Sequence, residues 1–406
     1  ILMLAPEPFF EPRGTPFSEY HRIKALGELG YQIDLVTYPI GRDVDLPNLR
    51  IVRCGRPSFI SKVPIGPSFT KVILDVFLAV TAFRLARSTP YDAIHSHEEA
   101  GLLGLWLARR VGIPHLYDMH SSLPQQLSNF RYTRSLVLRR LFERAEAKVL
   151  GESDVIITIC QELQDTVLAI GAGDRAFLIE NVMGGDVEER NSGTPLVDVR
   201  SRYGIDASQP LVLYTGTFEE YQGLGLLVEV AALLSVSHPE VRVLVVGGEP
   251  MQVARLREST REIAPTMVFT GQRPPGEIQR FIEAADILVS PRTRGTNTPL
   301  KIYSYLRSGR PIVATNLRTH TQVLDERTAR LSPPEAQPFA DAVARLIEQP
   351  GERHRLAEAA RDLAASRYGH AAYMDKTAAA YRRLLPELTT SPMTSSSPNL
   401  SRSKVS

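Results

Sequence analysis

Histidine and carboxylate side chains end two strand-like stretches in the first half of this 406-residue chain. The stretch DAIHSH contains His95 and His97 and is followed by Glu98, and the stretch PHLYDMH contains Asp118 and ends at His120. Ligands bind beyond the carboxyl ends of the strands in open α/β sheets, so these side chains belong to a candidate site. His120 is the best candidate to contact a hydroxyl-bearing substrate, and His95 is expected to make a buried hydrogen bond.

The same histidines raise the question of a metal site. Zinc takes histidine and cysteine ligands, but His95 and His97 alternate along one strand and no cysteine accompanies them. Cys54 and Cys160 have no metal-ligand spacing and form no disulfide framework, which fits buried thiols in a reducing cytosol. The sequence therefore favours a site without a metal.

Basic side chains gather at the strand ends predicted for the second half. They are Arg273, Arg292, Arg294 and Lys301. Lys301 stands in the first turn of a helix predicted from Pro299 to Arg307, with Thr298 as its N-cap. A cation there opposes the helix dipole, and a phosphate would satisfy both the lysine and the free N–H groups. The pattern predicts a site for a nucleoside diphosphate, with a solvated lysine and a basic surface patch as the alternatives.

Strand-like and helical segments alternate along the whole chain, which predicts an α/β fold with parallel sheets. The strand-like segments are ILMLA, QIDLVTY, LRIVRC, DAIHSH, PHLYDMH, DVIITIC and AFLIEN, then LVLYTG, RVLVVGG, MVFTG, DILVSP and PIVATN. Helical patterns cover 18–29, 70–87, 100–111, 134–150 and 161–169, then 224–235, 251–261, 275–284, 299–307 and 339–347. A further helical stretch follows Glu352 and runs to about Leu385.

These segments divide into two halves joined by a linker rich in Gly, Ser, Pro and charge. The predicted units are a first domain at 1–185, a linker at 186–208, a second domain at 209–365, a C-terminal helix at 366–388 and a disordered tail at 389–406. Two parallel sheets joined in this way should face each other across a cleft that holds one site.

Composition and charge exclude several classes of protein. A hydrophobic fraction of 43% and a charged fraction of 23% are typical of globular proteins, and a net charge of +2 gives no support to nucleic-acid binding. The most apolar segment, 72–83, is too short to span a bilayer and contains Asp75. Arg84 and Arg87 follow it, which leaves a membrane-surface role open, with a core helix as the favoured interpretation. We expect a cytoplasmic protein, since no export signal is visible.

The helix predicted at 134–150 carries Arg139, Arg140 and Arg144, and it allows peripheral contact with anionic lipid on the inner face of the membrane.

Several segments, in order, resemble the family 4 (group 1) retaining glycosyltransferases of the GT-B fold, in which two Rossmann-like domains with parallel sheets face each other across a cleft. The segments are a glycine-containing loop after the first strand, DAIHSH, LYDMH, IENVMGGD, LYTGTFEEYQG and PLKIYSYLRSGRPIVAT. The last segment is the most specific, and the resemblance covers roughly residues 1–386.

The chain departs from that family at its donor site. The two glutamates that the family usually places eight positions apart are Thr296 and Ser304 here, and the cations that grip the diphosphate would fall at Thr217 and Gln222. The resemblance implies donor binding by Gly14, Thr15, Gly216, Thr217, Gln222, Gln272, Arg273, Arg292, Gly295, Thr296, Asn297, Thr298, Leu300, Lys301 and Ser304. It implies catalytic roles for His120, Arg292 and Lys301, and acceptor-side roles for His97, Glu98 and His120.

The function implied is metal-independent transfer of a sugar, with retention, from a nucleoside-diphosphate sugar to a hydroxyl acceptor in polysaccharide, glycolipid or other glycan biosynthesis. No cofactor is expected. A nucleotide-sugar epimerase remains open because Glu98, Glu99 and Asp118 are available as acid–base groups. A non-catalytic nucleotide-sugar binder is the other alternative, and a two-domain solute receptor is the least favoured.

Overall fold

The structure, a computed structural model, describes residues 1–10, 14–60, 62–63, 68–122, 136–180 and 198–386. The predicted tail at 389–406 and most of the predicted linker, 186–197, lie outside the described residues. The described end of that linker region contains a short helix, α6, at Val199–Arg202.

The first half of the chain forms a seven-stranded sheet in the order β3-β2-β1-β4-β5-β6-β7. The strands are β1 (Leu2–Ala5), β2 (Ile33–Thr37), β3 (Leu49–Arg53), β4 (Ile94–His97), β5 (His115–Met119), β6 (Val155–Thr158) and β7 (Ala176–Leu178). All the pairings between these strands are parallel. β1, β4, β5 and β6 are buried along their whole length, as expected for near-continuous apolar strands covered on both faces.

Helices cover both faces of this sheet. They are α1 (Gly14–Glu28), α2 (Phe69–Ser88), α3 (Gly101–Val111), α4 (Leu136–Glu152) and α5 (Gln161–Ala169). Leu74, Leu78 and Ala82 of α2 pack with Leu107 of α3 on one face, and Ile23 and Leu26 of α1 belong to the core on the other.

The second half forms a six-stranded parallel sheet in the order β10-β9-β8-β11-β12-β13. The strands are β8 (Leu211–Thr215), β9 (Arg242–Val246), β10 (Met267–Gly271), β11 (Ile287–Ser290), β12 (Ile312–Thr315) and β13 (Arg330–Ser332). The helices are α7 (Leu224–Ser237), α8 (Pro250–Ser259), α9 (Pro275–Ala284), α10 (Lys301–Ser308), α11 (Arg318–Thr321) and α12 (Ala336–Glu348). The sequence patterns did not predict β13 and α11, which are only three and four residues long.

The helical stretch predicted as continuous after Glu352 is two helices. α13 covers Pro350–Arg367 and α14 covers His370–Leu384, with Gly369 between them as the N-cap of α14. α14 packs on the first sheet rather than the second, because Tyr381 and Leu384 belong to the same core as strand β1. The described part of the chain therefore both begins and ends on the first domain.

The two parallel sheets with helices on both faces confirm the predicted α/β class. No helix in the described part of the chain is both long enough and apolar enough to cross a membrane.

Candidate functional site

The carboxyl ends of β4 and β5 bring the predicted histidines and carboxylates together. The two strands are paired in parallel, with His97 opposite Asp118. His97 Nδ1 lies 3.1 Å from His120 Nε2, and His120 Nε2 lies 3.2 Å from Asp118 Oδ1. All three side chains are buried. His120 Nδ1 is buried and has no hydrogen-bond partner in the described structure, so its hydrogen-bonding capacity is unused.

Arg22 is the buried cation next to the histidine cluster, which we define as His97, Asp118 and His120. Its Nε donates to Asp118 Oδ2 at 3.1 Å, and both side chains are almost completely buried. Burial alone would raise the pKa of Asp118, but the charges of Arg22 and His120 hold that pKa well below its usual value. Burial would lower the pKa of His120, and the neighbouring Asp118 carboxylate outweighs it, so the pKa of His120 is raised. Burial and the neighbouring His95 lower the pKa of His97 well below its usual value, so the pKa values of His97 and His120 shift in opposite directions.

Three further carboxyl groups surround the cluster. Burial and the nearby Glu98 raise the pKa of Glu7, just beyond β1, to about 8, and burial and the Glu7 carboxylate raise that of Glu19. Burial and the neighbouring Glu99 carboxylate raise the pKa of Glu98 to about 7. Ser121 donates to Glu98 Oε2 at 2.6 Å and Thr15 to Oε1 at 3.4 Å. Glu98 also has φ of 47°, a strained conformation of the kind that clusters at functional sites.

His95, His97 and Asp118 place ligand atoms within 4.8 Å of one another, which is a distance that a metal ion could bridge. Protein groups contact all three side chains, since His97 Nδ1 already lies 3.1 Å from His120 Nε2. Tyr381 lies 2.7 Å from His95 Nδ1, and the Arg22 guanidinium occupies Asp118 Oδ2. A cation at this place would lie beside the positive charge of Arg22, so these residues fit a hydrogen-bond network better than a metal site. The buried hydrogen bond of His95 is as the sequence indicated.

Lys301 lies at the corresponding edge of the second sheet, in the first turn of α10. Its Nζ is buried 3.9 Å from the centroid of the Tyr214 ring at the end of β8. No described hydrogen-bond acceptor reaches Nζ. Burial, together with the charge of Arg292, lowers the pKa of Lys301 well below its usual value. A buried amino group without a hydrogen-bond acceptor is costly, and an anion in the adjoining space would supply the missing acceptor.

The loop between β11 and α10 is held by Arg292. Its Nη1 donates to the Asn297 carbonyl at 2.6 Å and to Thr319 Oγ1 at 2.9 Å, and the guanidinium lies over the Tyr221 ring. Burial lowers the pKa of Arg292. Arg292 therefore shapes the loop as well as contributing charge to the site.

The start of α10 differs from the prediction in one respect. The helix begins at Lys301 after a turn in which the Ile302 amide donates to the Pro299 carbonyl, and Leu300 occupies the N-cap position. Thr298 makes no capping hydrogen bond to the helix, so its predicted N-cap role is wrong. The reason is that Pro299 and Leu300 already turn the chain before the helix begins, which moves its first residue beyond the reach of Thr298. The amide groups at this end thus have no side-chain cap.

Glycines let the backbone approach closely around Lys301. Gly216, at the end of β8, has φ of 149°, and a Cβ added there would lie 3.6 Å from Lys301 Nζ. Gly223, at the start of α7, has φ of 77°, and a Cβ there would come within 1.9 Å of the Pro291 carbonyl oxygen. Glycine is therefore required at Gly223, and Gly216 leaves the space beside the lysine open.

The remaining predicted donor residues fall into two groups. Thr217 and Gln222 lie in the loop between β8 and α7, and Gly295, Thr296 and Asn297 lie in the loop between β11 and α10, while Ser304 lies in α10 itself. Gln222 has a buried Oε1 without a hydrogen-bond partner. Other side chains of the set have partners elsewhere. Arg273 donates to the Tyr203 hydroxyl and the Thr270 carbonyl, and Gln272 beside it is exposed. Gly14 and Thr15 begin α1 in the first domain.

Arg294, also among the predicted cations, pairs on the surface with Glu220 rather than pointing towards Lys301. The four basic side chains therefore do not form one cluster. Lys301 and Arg292 lie together, while Arg273 and Arg294 are directed to other partners.

Asn297 joins the two halves of the site. Its Nδ2 donates to the His120 carbonyl at 2.8 Å, and its Oδ1 lies 3.6 Å from Cys160 Sγ. Gln322 of the second domain also accepts from the Glu162 amide and donates to the Thr296 carbonyl. The histidine cluster of one sheet and the Lys301 loop of the other therefore meet at a single cleft.

Sequence reasoning missed Glu7, Glu19, Arg22 and Tyr214. A signal for Glu19 was available, because Glu19, Ile23 and Leu26 follow helical spacing on the buried face of α1. Glu7 is the first charged residue beyond the carboxyl end of β1. The candidate residues on β4 and β5 were predicted at the corresponding ends of their strands. No comparable signal identifies Tyr214 as the ring beneath Lys301.

Comparison with known families supports this description of the molecule. Residues 20–181 match the model of the glycosyl transferase 4-like domain, and residues 209–349 match that of glycosyl transferases group 1. The first match contains the histidine cluster, and the second contains Lys301 and its loop.

Individual relatives are more distant. The chain is 25% identical to an alpha-D-kanosaminyltransferase of Streptomyces kanamyceticus, over 72% of this chain and 77% of the relative. It is 26% identical to a D-inositol 3-phosphate glycosyltransferase of Corynebacterium urealyticum, over 82% of each. The solved structure of Anabaena Alr3699/HepE in complex with UDP is similar in fold, with a TM-score of 0.72, 17% identity, and coverage of 94% of this chain and 98% of that one.

Proposed function

The chain belongs to the glycosyltransferases of the GT-B fold, and we propose that it transfers a sugar from a nucleoside-diphosphate sugar to a hydroxyl acceptor, with retention of the anomeric configuration. The similar UDP-bound structure and the glycosyltransferase relatives support the donor class. The relatives also favour a role in glycan or glycolipid biosynthesis.

The observation that carries the proposal is the buried, unpartnered ammonium of Lys301. A diphosphate bound at the N-terminal end of α10 would accept hydrogen bonds from Lys301 Nζ and from the uncapped amide groups. Gly216 leaves room for the phosphates on the side of β8. Charge-assisted hydrogen bonds to phosphate in a site shielded from water are among the stronger polar interactions in proteins.

The proposed reaction breaks the bond between the anomeric carbon and the β-phosphate oxygen. The acceptor oxygen forms the new bond from the same face, and its proton passes to the departing phosphate oxygen. Lys301, Arg292 and the amide groups of α10 stabilise the negative charge that develops on the leaving diphosphate. In this proposal side chains and backbone neutralise that charge, and no metal is required.

The histidine cluster is proposed to orient the transferred sugar or the acceptor. His120 Nδ1 offers a hydrogen bond to a sugar hydroxyl, while Asp118 fixes the opposite side of the ring. The buried Glu98 next to it offers a second polar contact on the acceptor side. Closure at Asn297 would hold donor and acceptor together and exclude water.

The test is a thermal-shift screen of the protein against UDP, GDP, ADP, CMP and dTDP, each with and without EDTA. A ligand that binds the folded protein raises the melting temperature by mass action. We expect one nucleotide to raise it, with no effect of EDTA. NMR coupling constants of the product formed from the matching sugar donor then report whether the configuration is retained. If no nucleotide shifts the melting temperature, the proposal fails.

A nucleotide-sugar epimerase is the second candidate, because protonated carboxyl groups are typical of acid–base sites. Glu98, with its pKa near 7, and Glu7, with its pKa near 8, lie beside the cleft. Incubation of the matching nucleotide sugar in D2O without an acceptor separates the two functions. Deuterium incorporation into recovered donor supports an epimerase, whereas a glycosyltransferase leaves it unlabelled. Binding without either reaction indicates a non-catalytic binder.

A further inference from the structure

Helix α2 is apolar on two opposite faces. Its inner face packs Leu74, Leu78 and Ala82 against the first sheet. Its outer face is also apolar, and its exposed side chains are Phe69, Val72, Val76, Phe77 and Val80, with Phe69 77% and Val76 60% exposed. A helix that is apolar all round is normally covered on all sides, so the outer face of α2 requires an explanation.

Helix α3 continues this exposed apolar surface. Trp106 is 52% exposed, and its ring lies 5.9 Å from that of Phe83 on α2. Leu102, one turn before Trp106, is exposed as well. We call the outer faces of the two helices the α2–α3 surface, defined by Phe69, Val72, Val76, Val80, Leu102 and Trp106.

Basic side chains follow the apolar ones on both helices. On α2 the exposed stripe continues into Arg84 and Arg87, and Arg87 lies over the Phe83 ring. On α3 it continues into Arg109 and Arg110. Within the described residues of α2 and α3 the only carboxylate is Asp75, which accepts a hydrogen bond from the Tyr38 hydroxyl at 2.5 Å. Arg109 pairs with Glu152 of α4 at 2.5 Å. The surface therefore combines exposed aliphatic and aromatic groups with the positive charges of Arg84, Arg87 and Arg110.

The apolar end of this surface lies close to the candidate site. Lys71, in the first turn of α2, bonds Glu99 Oε1 at 3.3 Å, and Glu99 is next to Glu98 of the cluster. The first turn of α3 follows the same carboxyl end of β4. A layer that contacted Phe69 and Leu102 would therefore reach the rim of the cleft on its acceptor side.

We propose that the α2–α3 surface docks on an anionic phospholipid bilayer, with its apolar side chains entering the interface and its arginines contacting lipid phosphates. Exposed aliphatic and tryptophan side chains beside arginines suit the boundary between headgroups and acyl chains. Each basic side chain near an anionic leaflet adds to the attraction. Docking of this surface would also bring a membrane-borne acceptor to the cleft, which is an extension that rests on the proposed function. This surface includes the apolar segment 72–83, for which the sequence left a membrane-surface role open, and it is distinct from α4, which also exposes Val137 and Leu141.

The experiment measures co-sedimentation of the full chain with vesicles of phosphatidylcholine alone and of phosphatidylcholine with 30% phosphatidylglycerol. One variant, Val72→Ser/Val76→Ser/Val80→Ser, removes apolar contacts that are exposed and bear little on folding. A second, Arg84→Ser/Arg87→Ser, removes charge. The matched controls are Val236→Ser, whose side chain is 86% exposed on the second domain, and Arg261→Ser, also exposed there.

We expect the wild type and both controls to bind the anionic vesicles and to bind the neutral ones at least tenfold more weakly. The triple serine variant should lose at least tenfold in anionic vesicle binding, and the double arginine variant should bind both kinds of vesicle equally weakly. The proposal is overturned if the wild type ignores anionic vesicles, or if the triple variant binds like the wild type. It is also overturned if analytical ultracentrifugation shows a dimer that the triple variant dissociates, because a second copy then covers the surface.

Nucleotide-induced thermal shifts, measured on the same variants, separate this proposal from the previous one. We expect all of them to match the wild type, since the changed side chains lie outside the nucleotide site. Vesicle binding without a nucleotide-induced shift would support the docking surface and count against the glycosyltransferase proposal.

Discussion

Replacing Lys301 with methionine is expected to weaken nucleotide binding and, at the same time, to stabilise the unliganded protein. Methionine keeps much of the length of the side chain and its contact with the Tyr214 ring but removes the buried charge. The two effects have opposite signs because the ammonium lacks a partner in the free protein and gains one when a diphosphate binds.

The loss of affinity follows from the contact that is removed. A hydrogen bond to a charged group contributes about 1.5–3 kcal/mol, so the dissociation constant for the nucleotide should rise roughly 10- to 150-fold. The gain in stability follows from removing a buried charge without a partner. That should raise the free energy of unfolding by about 1–3 kcal/mol, which corresponds to several degrees in the melting temperature.

The stability gain has a defined pH dependence. The pKa of Lys301 is lowered in the folded protein, so between that lowered value and the ordinary lysine pKa of about 10.4 the unfolded chain binds more protons. The stability of the wild type therefore rises with pH across this window. The difference between Lys301→Met and the wild type should narrow as the pH approaches 10.

Isothermal titration calorimetry with the nucleotide found in the screen gives the affinity, and thermal melts between pH 7 and pH 10 give the stability. Arg294→Met is the matched control, because it removes an exposed cation, paired with Glu220, from the same loop. The control should change the free energy of binding by less than about 0.5 kcal/mol, as surface ion pairs contribute little. Unchanged nucleotide affinity in Lys301→Met would refute the reasoning.

Three further predictions concern the charges and contacts around the cleft. Glu7→Gln should raise the melting temperature at pH 8.5 and not at pH 4, because the raised pKa of Glu7 means that its stabilising protonated form is lost as pH rises through about 8. Arg22→Met should lower the free energy of unfolding by about 3–5 kcal/mol in urea titrations, since it leaves the Asp118 carboxylate buried without its cation; a loss under 1 kcal/mol would contradict this. Asn297→Ala should lower kcat/KM about fivefold with little change in the melting temperature, because a hydrogen bond to the His120 carbonyl that contributes about 1 kcal/mol is lost where the domains meet; an unchanged kcat/KM would indicate that this contact has no role.

Most of the regular elements could be predicted from the sequence because their patterns are strong. The predicted bounds of helices 161–169 and 275–284 agree with α5 and α9. β13 could not be predicted, since Arg330–Ser332 has neither the length nor the apolar pattern of a strand and is fixed only by pairing with β12. The break between α13 and α14 also depends on tertiary packing, because α14 leaves the second domain to pack against the first sheet.

Part of the site could be predicted for a geometric reason. Parallel strands end at one edge of a sheet, so His97, Asp118 and His120 had to lie close together once β4 and β5 were neighbours. The same reasoning fails for long flexible side chains, whose direction depends on neighbours that the sequence does not reveal. Arg273 and Arg294 follow strand ends of the second sheet. Arg273 nevertheless donates to the Tyr203 hydroxyl and Arg294 pairs with Glu220, so neither side chain joins Lys301.

The departures from the family pattern that the sequence predicts would account for the missing hydrogen-bond partner of Lys301. A glutamate at position 304 would stand three residues after Lys301, which is a spacing that lets two side chains of a helix form an ion pair. Ser304 removes that carboxylate, and Thr296 removes the other one from the same loop. The loss of the cations expected at Thr217 and Gln222 would weaken a diphosphate site, but the loss of both glutamates leaves the charge of Lys301 available to a ligand. A site without a ligand would gain stability from replacing this lysine with an apolar residue. We therefore propose that Lys301 belongs to a rebuilt anion site rather than to a site that has lost its function.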